Sequence, residues 1–191
     1  MQNHAVFFDR DGTLNYDSGY VGNADLVRLY SGVPHAIRLL REKGFKIVVI
    51  SNQSGIARGY FTAKEVDLVN QKINDLLETD GCGAIDAFYY CPFHPDFNST
   101  EDCKCRKPSP LMVLKASEEL NIDLNKSYFV GDSVTDIECG KNAGVKTILV
   151  KNERTEEQIC NLLVECEIPG FIACDLIEAS EFIIKDFPGG N

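Results

Sequence analysis

In Ala5-Val6-Phe7-Phe8-Asp9-Arg10-Asp11-Gly12-Thr13-Leu14-Asn15, an apolar run stops abruptly at two carboxylates and a glycine. A short apolar run ended by polar and turn residues reads as a buried strand entering a loop. Positions i and i+2 of an extended chain point the same way, so Asp9 and Asp11 can face one ligand. Two neighbouring carboxylates repel each other unless a cation neutralises them or one carries a proton. A solvated Asp-Arg-Asp turn would use the same residues. What the other strand ends carry decides between the two.

Apolar, β-rich runs recur at Lys46 to Ile50, Ala87 to Tyr90, Tyr128 to Val130, Thr147 to Val150 and Phe171 to Ala173. Helical patterns separate or follow them at Val33 to Lys43, Ala63 to Glu78, Ser109 to Glu119, Asp136 to Asn142, Glu156 to Val164 and Leu176 to Lys185. Gly44 stops the first helix, and Thr62 with Glu65 makes a capping-box start to the second. Ser109 fits the cap of the third, with Pro110 at its first position. Strands alternating with helices predict an α/β, three-layer, Rossmann-like fold with a mainly parallel sheet covered on both faces. Ligands in such sheets bind beyond the carboxyl ends of the strands. No repeat or linker divides the chain, so residues 1–191 read as one domain with a loose tail at 187–191. Between Tyr90 and Ser109 lie about eighteen residues without a periodic pattern, a length that signals a function or a restraint.

The 191 residues are enough to bury a substantial core, and 44% apolar with 25% charged residues is ordinary for a globular protein. The chain has no apolar run long enough to cross a bilayer and no signal peptide, so a cytoplasmic monomer without membrane partners is expected. A net charge of −10 argues against a nucleic-acid backbone as partner. An acidic protein that binds a small phosphate needs a local cation or a metal. Eight cysteines do not make a disulfide framework in a chain of this length without a secretory signal. Cys82, Cys139, Cys160, Cys166 and Cys174 are scattered and read as reduced residues, whereas Cys91, Cys103 and Cys105 share one loop with His94.

The strand ends carry complementary groups. The first delivers Asp9 and Asp11. The second ends in Ser51-Asn52-Gln53-Ser54-Gly55, whose hydroxyls and N–H groups can donate to phosphate oxygens without adding charge. The long loop closes with Arg106 and Lys107, the local cations. The fourth strand ends in Gly131-Asp132-Ser133-Val134-Thr135-Asp136, where Asp132 suits a metal and Asp136 suits a helix cap. Each is an ordinary turn composition by itself. Acid pair, hydroxyl, cation and acid at one sheet edge are not.

These motifs resemble the haloacid dehalogenase superfamily of aspartate-nucleophile phosphohydrolases over roughly residues 5 to 185. Asp9-Arg10-Asp11-Gly12-Thr13, Asp17-Ser18-Gly19-Tyr20-Val21, Ser51-Asn52-Gln53-Ser54-Gly55-Ile56-Ala57-Arg58-Gly59 and Cys105-Arg106-Lys107-Pro108 resemble the branch of heptose bisphosphate phosphatases and histidinol-phosphate phosphatases. The resemblance implies a Mg2+-dependent phosphatase without a large cap domain. Asp9 would attack phosphorus and become an aspartyl-phosphate. Asp11 would give a proton to the leaving sugar oxygen and later take one from water. Mg2+ would be held by Asp9, Asp132 and the Asp11 main-chain oxygen. Ser51 would bind the phosphoryl oxygens and Lys107 would steady Asp9. Asp17, Ser18, Gly19, Tyr20, Asn52, Gln53, Ser54 and Arg106 would line the substrate end.

The branch also holds structural zinc in the long loop. Here Cys103-Lys104-Cys105 fits that pattern, but Cys91-Pro92-Phe93-His94 puts Phe93 where the branch has its ligand histidine. Cys91, His94, Cys103 and Cys105 still offer three thiolates and an imidazole, so structural Zn2+ in the 91–105 loop is expected; a reduced loop held by packing is the other arrangement. Ser133 stands where the heptose enzymes carry a lysine. The resemblance therefore implies a small sugar phosphate as substrate, foremost D-glycero-D-manno-heptose 1,7-bisphosphate at its 7-phosphate, with histidinol phosphate or another sugar phosphate as rivals. A receiver domain or a zinc-binding interaction module fits the same fold class less well, because the whole acid, hydroxyl and cation set is present.

Overall fold

The computed structural model describes residues 2–17, 19–152 and 168–187. Six parallel strands form one sheet: β1 (Ala5–Phe8), β2 (Lys46–Asn52), β3 (Ala87–Cys91), β4 (Tyr128–Gly131), β5 (Lys146–Val150) and β6 (Phe171–Ala173). Five α-helices accompany them among the described residues: α1 (Val33–Glu42), α2 (Ala63–Thr79), α3 (Leu111–Glu119), α4 (Val134–Ala143) and α5 (Leu176–Asp186). The strand order is β3-β2-β1-β4-β5-β6, so the chain reverses direction across the sheet between β1 and β4. That reversal opens a crevice at the carboxyl end of β1, where ligands settle in doubly wound sheets.

A parallel sheet covered on both faces needs apolar side chains on both faces of each strand. In β1, Val6 and Phe8 pack with Val33, Ile37 and Leu40 of α1, Val69 and Ile73 of α2, and Ala179 and Ile183 of α5. Ala5 and Phe7 point the other way, toward Met112, Val113 and Ala116 of α3 and Cys139 of α4. All four are buried, which explains why β1 reads as a continuous apolar run instead of an alternating one.

The expected strands are present, several a residue or two longer than their apolar runs. Helix α2 starts with the Thr62–Glu65 capping box, and Gly44 follows α1 with a positive φ of 82°. Helix α3 starts later than expected: Pro110, not Ser109, is its N-cap, and the Ser109 hydroxyl accepts a long 3.4 Å bond from Leu111 N–H. The long loop is not structureless. Asp102–Cys105 form a 3-10 turn, Ser99 and Asp102 bond each other, and the Asn98 side chain accepts from His94 N–H. Polar side chains close this loop on itself, and they carry no periodic signal. The helix expected over Glu156 to Val164 and most of the expected tail lie outside the described residues. Among the described residues no insertion of domain size occurs between β1 and α1 or between β3 and α3. Among the described residues no helix is long and apolar enough to cross a membrane.

Candidate active site

Three adjacent strands supply the centre. Phe8 of β1 is level with Val49 of β2 and Val130 of β4, so Asp9, Ser51 and Asp132 emerge together at one edge. Asp9 is anchored there by its own N–H, which donates to Val130 O at 3.0 Å. Carboxylate oxygens of Asp9, Asp132 and Asp136 all lie within 4.8 Å of one another.

Lys107 comes to this cluster from the far end of the long loop. Its Nζ donates to Asp9 Oδ1 at 2.5 Å, to Asp136 Oδ1 at 2.6 Å and to Ile50 O at 2.9 Å. Asn52 holds the loop in place: its Oδ1 accepts from Lys107 N–H at 3.0 Å and its Nδ2 donates to Lys107 O at 3.2 Å. Asp136 is completely buried and works at both ends, since its Oδ2 accepts from the Ser133 backbone and hydroxyl to cap α4. Gly131 makes room for it; a Cβ there would collide with the Asp136 side chain.

The electrostatics follow from burial. Burial pushes the Asp9 carboxyl well above its usual range; Lys107 opposes this, and Asp136 and Asp132 add to it. Asp132 is pushed up to about 6, by burial first and then by Asp136. Burial alone would lower the Lys107 pKa, but Asp136 and Asp9 outweigh it and hold the ammonium charged. With all three carboxylates ionised, as a bound cation would favour, one ammonium leaves an excess of two negative charges. Hard oxygen donors with two uncompensated charges suit Mg2+.

Asp11 does not join this cluster. Its carboxylate turns to Arg10, accepting from Nη2 at 2.8 Å and Nε at 3.1 Å, and also accepts from Asn15 Nδ2 at 2.9 Å and Gln53 Nε2 at 2.8 Å. Burial would raise its pKa, but the charge and bonds of Arg10, with those of Gln53 and Asn15, hold it below the usual range. Arg10 itself has no solvent exposure and also donates to Asn70 Oδ1, Gln53 Oε1 and Val21 O. Its depth gave no sign in the sequence, where an arginine between two aspartates reads as a surface residue.

The groups expected at the substrate end divide in two. Gln53, buried, serves Asp11, Arg10 and Ser51, and Asn52 serves Lys107; both build the site instead of lining it. The Ser51 hydroxyl is buried and accepts from Gln53 Nε2 at 3.3 Å. Asp17 Oδ1 accepts from Gly19 N–H at 2.8 Å, which shapes the turn that presents Tyr20; Ser54 is partly buried, and Ser18 lies outside the described residues. Tyr20 packs edge-on against Tyr60 and under the Arg58 guanidinium. Arg58 also reaches His94 Nε2 at 2.9 Å and lies 5.2 Å from the Phe97 ring centre, while Arg106 Nη1 donates to Phe93 O at 3.3 Å. Burial, then the nearby Arg58 charge, lowers the Arg106 pKa against an opposing pull from Cys103. Neither guanidinium meets a carboxylate at ion-pair distance among the described residues.

The expected zinc set is not gathered. Cys91 and Cys105 pair as a disulfide, and Cys103 stays a free thiol. The His94 ring faces Arg58 on one side and Asp96 on the other. With Phe93 in place of a ligand, the shifted histidine turns toward Arg58, and the end of β3 brings Cys91 against Cys105.

The HAD-hydrolase-like family model matches residues 104–179. The D-glycero-D-manno-heptose-1,7-bisphosphate 7-phosphatase of Chlorobaculum tepidum is 42% identical over 184 residues, covering 91% of this chain and 90% of its own. The D-glycero-beta-D-manno-heptose-1,7-bisphosphate 7-phosphatase of Escherichia coli is 43% identical over 152 residues, 77% of this chain and 78% of its own. The crystal structure of the D,D-heptose 1,7-bisphosphate phosphatase from B. bronchiseptica, complexed with magnesium and phosphate, superposes with a TM-score of 0.83 at 30% identity, covering 96% of this chain and 99% of that one. The chain belongs to the haloacid dehalogenase superfamily of phosphohydrolases, in the branch that holds the heptose bisphosphate phosphatases.

Proposed function

We propose that this chain is a single-domain, Mg2+-dependent phosphatase that removes the 7-phosphate of D-glycero-D-manno-heptose 1,7-bisphosphate. The observation that carries the chemistry is the buried Asp9–Asp132–Asp136 cluster with Lys107 as its sole direct cation among the described residues. Asp9 and Asp132, with the Asp11 main-chain oxygen, would hold Mg2+, which supplies charge screening between carboxylate and phosphate when bound. The nearby positive charge favours ionised Asp9, reversing the shift that burial imposes.

Asp9 then acts as nucleophile toward phosphorus, with the Ser51 hydroxyl and Lys107 oriented to the phosphoryl oxygens. Asp11 rests against Arg10, and serving as the acid requires its carboxyl to leave that partner and take up a proton. The leaving oxygen of the substrate provides the new partner. Asp136 is the brace for Lys107 and the cap of α4, outside the reaction itself.

Two arginines support a second phosphate on the substrate. Arg58 and Arg106 reach consecutive residues of the long loop, His94 and Phe93, with Tyr20 beside them and, among the described residues, no carboxylate at ion-pair distance. A bisphosphate answers that unpaired charge through bidentate contacts. Ser133 is uncharged, so in this reading the arginines carry the selection. The relatives named as heptose bisphosphate phosphatases make this sugar the first substrate to test.

Phosphate release from both anomers of the heptose bisphosphate, from histidinol phosphate and from sugar monophosphates tests the proposal. The heptose bisphosphate should lead and retain its 1-phosphate, chelation of Mg2+ should stop the reaction, and Asp9→Asn should be nearly inert. Equal phosphate release by wild type and Asp9→Asn refutes the mechanism; preference for histidinol phosphate refutes the substrate.

A further inference from the structure

Asp132 differs from the other acids of the cluster in having no cation at ion-pair distance among the described residues. Its partners are neutral. Thr13 Oγ1 donates to Oδ1 at 3.3 Å, and Asn152 Nδ2 donates to Oδ2 at 2.6 Å. Asn152 stands two residues beyond β5, the strand that pairs with β4 in the register Gly131 to Leu149. The same Nδ2 lies 3.3 Å from Gly12 O, so one amide group ties the loop after β1 to the carboxylate after β4. Gly12, with a φ of 91°, closes the remaining side; a Cβ there would collide with the Asp132 carboxyl.

We propose that Asn152 is a positioning residue for the divalent cation: its side-chain amide locks the Asp132 carboxylate in the orientation that presents the acid to the metal. An amide suits this task for an electrostatic reason. A lysine or arginine would make the same hydrogen bond but cancel part of the twofold negative excess that attracts the cation. A donor on a neighbouring strand end moves only with the sheet, so the carboxylate is held before the metal arrives. Groups that orient a metal ligand in this way typically change metal affinity about 10- to 100-fold.

The inference rests on the cation site proposed above, and the experiment separates the two. Mn2+ binding to the full-length enzyme, stripped of metal and without substrate, is followed by electron paramagnetic resonance. Asn152→Leu is near-isosteric without N–H groups, and Asn152→Ser is smaller and polar. Each should bind Mn2+ about 10- to 100-fold more weakly than wild type. Turnover should fall most at low Mg2+, with the half-saturating Mg2+ concentration raised. A purely structural role would lower the thermal midpoint and leave Mn2+ affinity in place. Wild-type affinity in either folded variant overturns the inference. Failure of the wild type to bind Mn2+ overturns the cation site and the inference with it. In 15N-labelled wild type the Asn152 side-chain amide signal should shift as Mg2+ is added; a signal that stays still overturns the inference even where neither variant folds.

Discussion

Replacing Lys107 with methionine removes one positive charge from between two buried carboxylates and keeps most of the side-chain volume. The Nζ lies 2.5 Å from Asp9 and 2.6 Å from Asp136, and the side chain is 3% exposed. At an effective dielectric of about 20, unit charges about 2.5 Å apart attract by roughly 7 kcal/mol. Desolvation of the three ions offsets much of that, and deleting one partner of a buried pair costs about 3–5 kcal/mol. The loss depends on pH. Without Lys107, burial and the neighbouring acids raise the Asp9 carboxyl further than in the wild type. A carboxyl raised in the folded state binds more protons folded than unfolded, so it loses stability as pH climbs from its unfolded pKa of about 4 toward the folded value. Lys107→Met should therefore trail wild type by about 3–5 kcal/mol at pH 7.5 and by visibly less at pH 5. Urea unfolding at both pH values without divalent cations measures the two gaps. Phosphate release should fall by at least about 10²-fold, as for other losses of charge stabilisation at a transition state. A gap below about 1 kcal/mol at pH 7.5, or an equal gap at both pH values, refutes Lys107 as the counter-ion of the cluster.

Arg10→Met strands Asp11 in a buried site and should cost about 3–5 kcal/mol at pH 7. Because Arg10 holds the Asp11 pKa below its unfolded value, that stability is present above about pH 4 and fades as pH falls through the folded value. Thermal unfolding should show the gap narrowing from pH 7 to pH 3.5; a constant gap contradicts the pairing. Gly12→Ala forces a Cβ into a positive-φ position and against Asp132, so it should destabilise by more than about 1 kcal/mol and depress phosphate release. Wild-type stability and activity in Gly12→Ala would contradict that packing. Non-reducing peptide mapping should return Cys91 joined to Cys105; unlinked peptides together with stoichiometric zinc on metal analysis would reinstate the tetrahedral site. Thr62→Ala, which removes the capping box of α2, should cost about 1 kcal/mol by urea unfolding without changing phosphate release. A cost near zero would show the cap is dispensable.

The order of strands and helices was legible because each signal is local. Phe8-Asp9 marks a strand end by its change of polarity, and Thr62 with Glu65 marks a helix start by spacing alone. Asp9, Ser51 and Asp132 could be named together because parallel strands must deliver their carboxyl ends to one edge. Asn52 and Gln53 show where this logic stops. Their amides suit a phosphate as well as they suit a backbone, and composition does not choose between them. The structure spends Asn52 on Lys107 and Gln53 on Asp11, Arg10 and Ser51.

The residues by themselves determined an α/β chain whose strand ends carry an acid pair, a hydroxyl, a cation and a further acid. Only the tertiary structure decided what each side chain touches. Asp11 lies against Arg10 instead of beside Asp9, and Asp136 reaches Lys107 as well as its helix cap. Cys91 meets Cys105 while His94 meets Arg58, and Asn152 meets Asp132 from a strand end that no motif pointed to. Periodicity and turn chemistry are set by neighbours along the chain. The partner of a long or buried polar side chain is set by neighbours in space, because burial obliges each polar group to find whichever donor or acceptor the packing brings within reach.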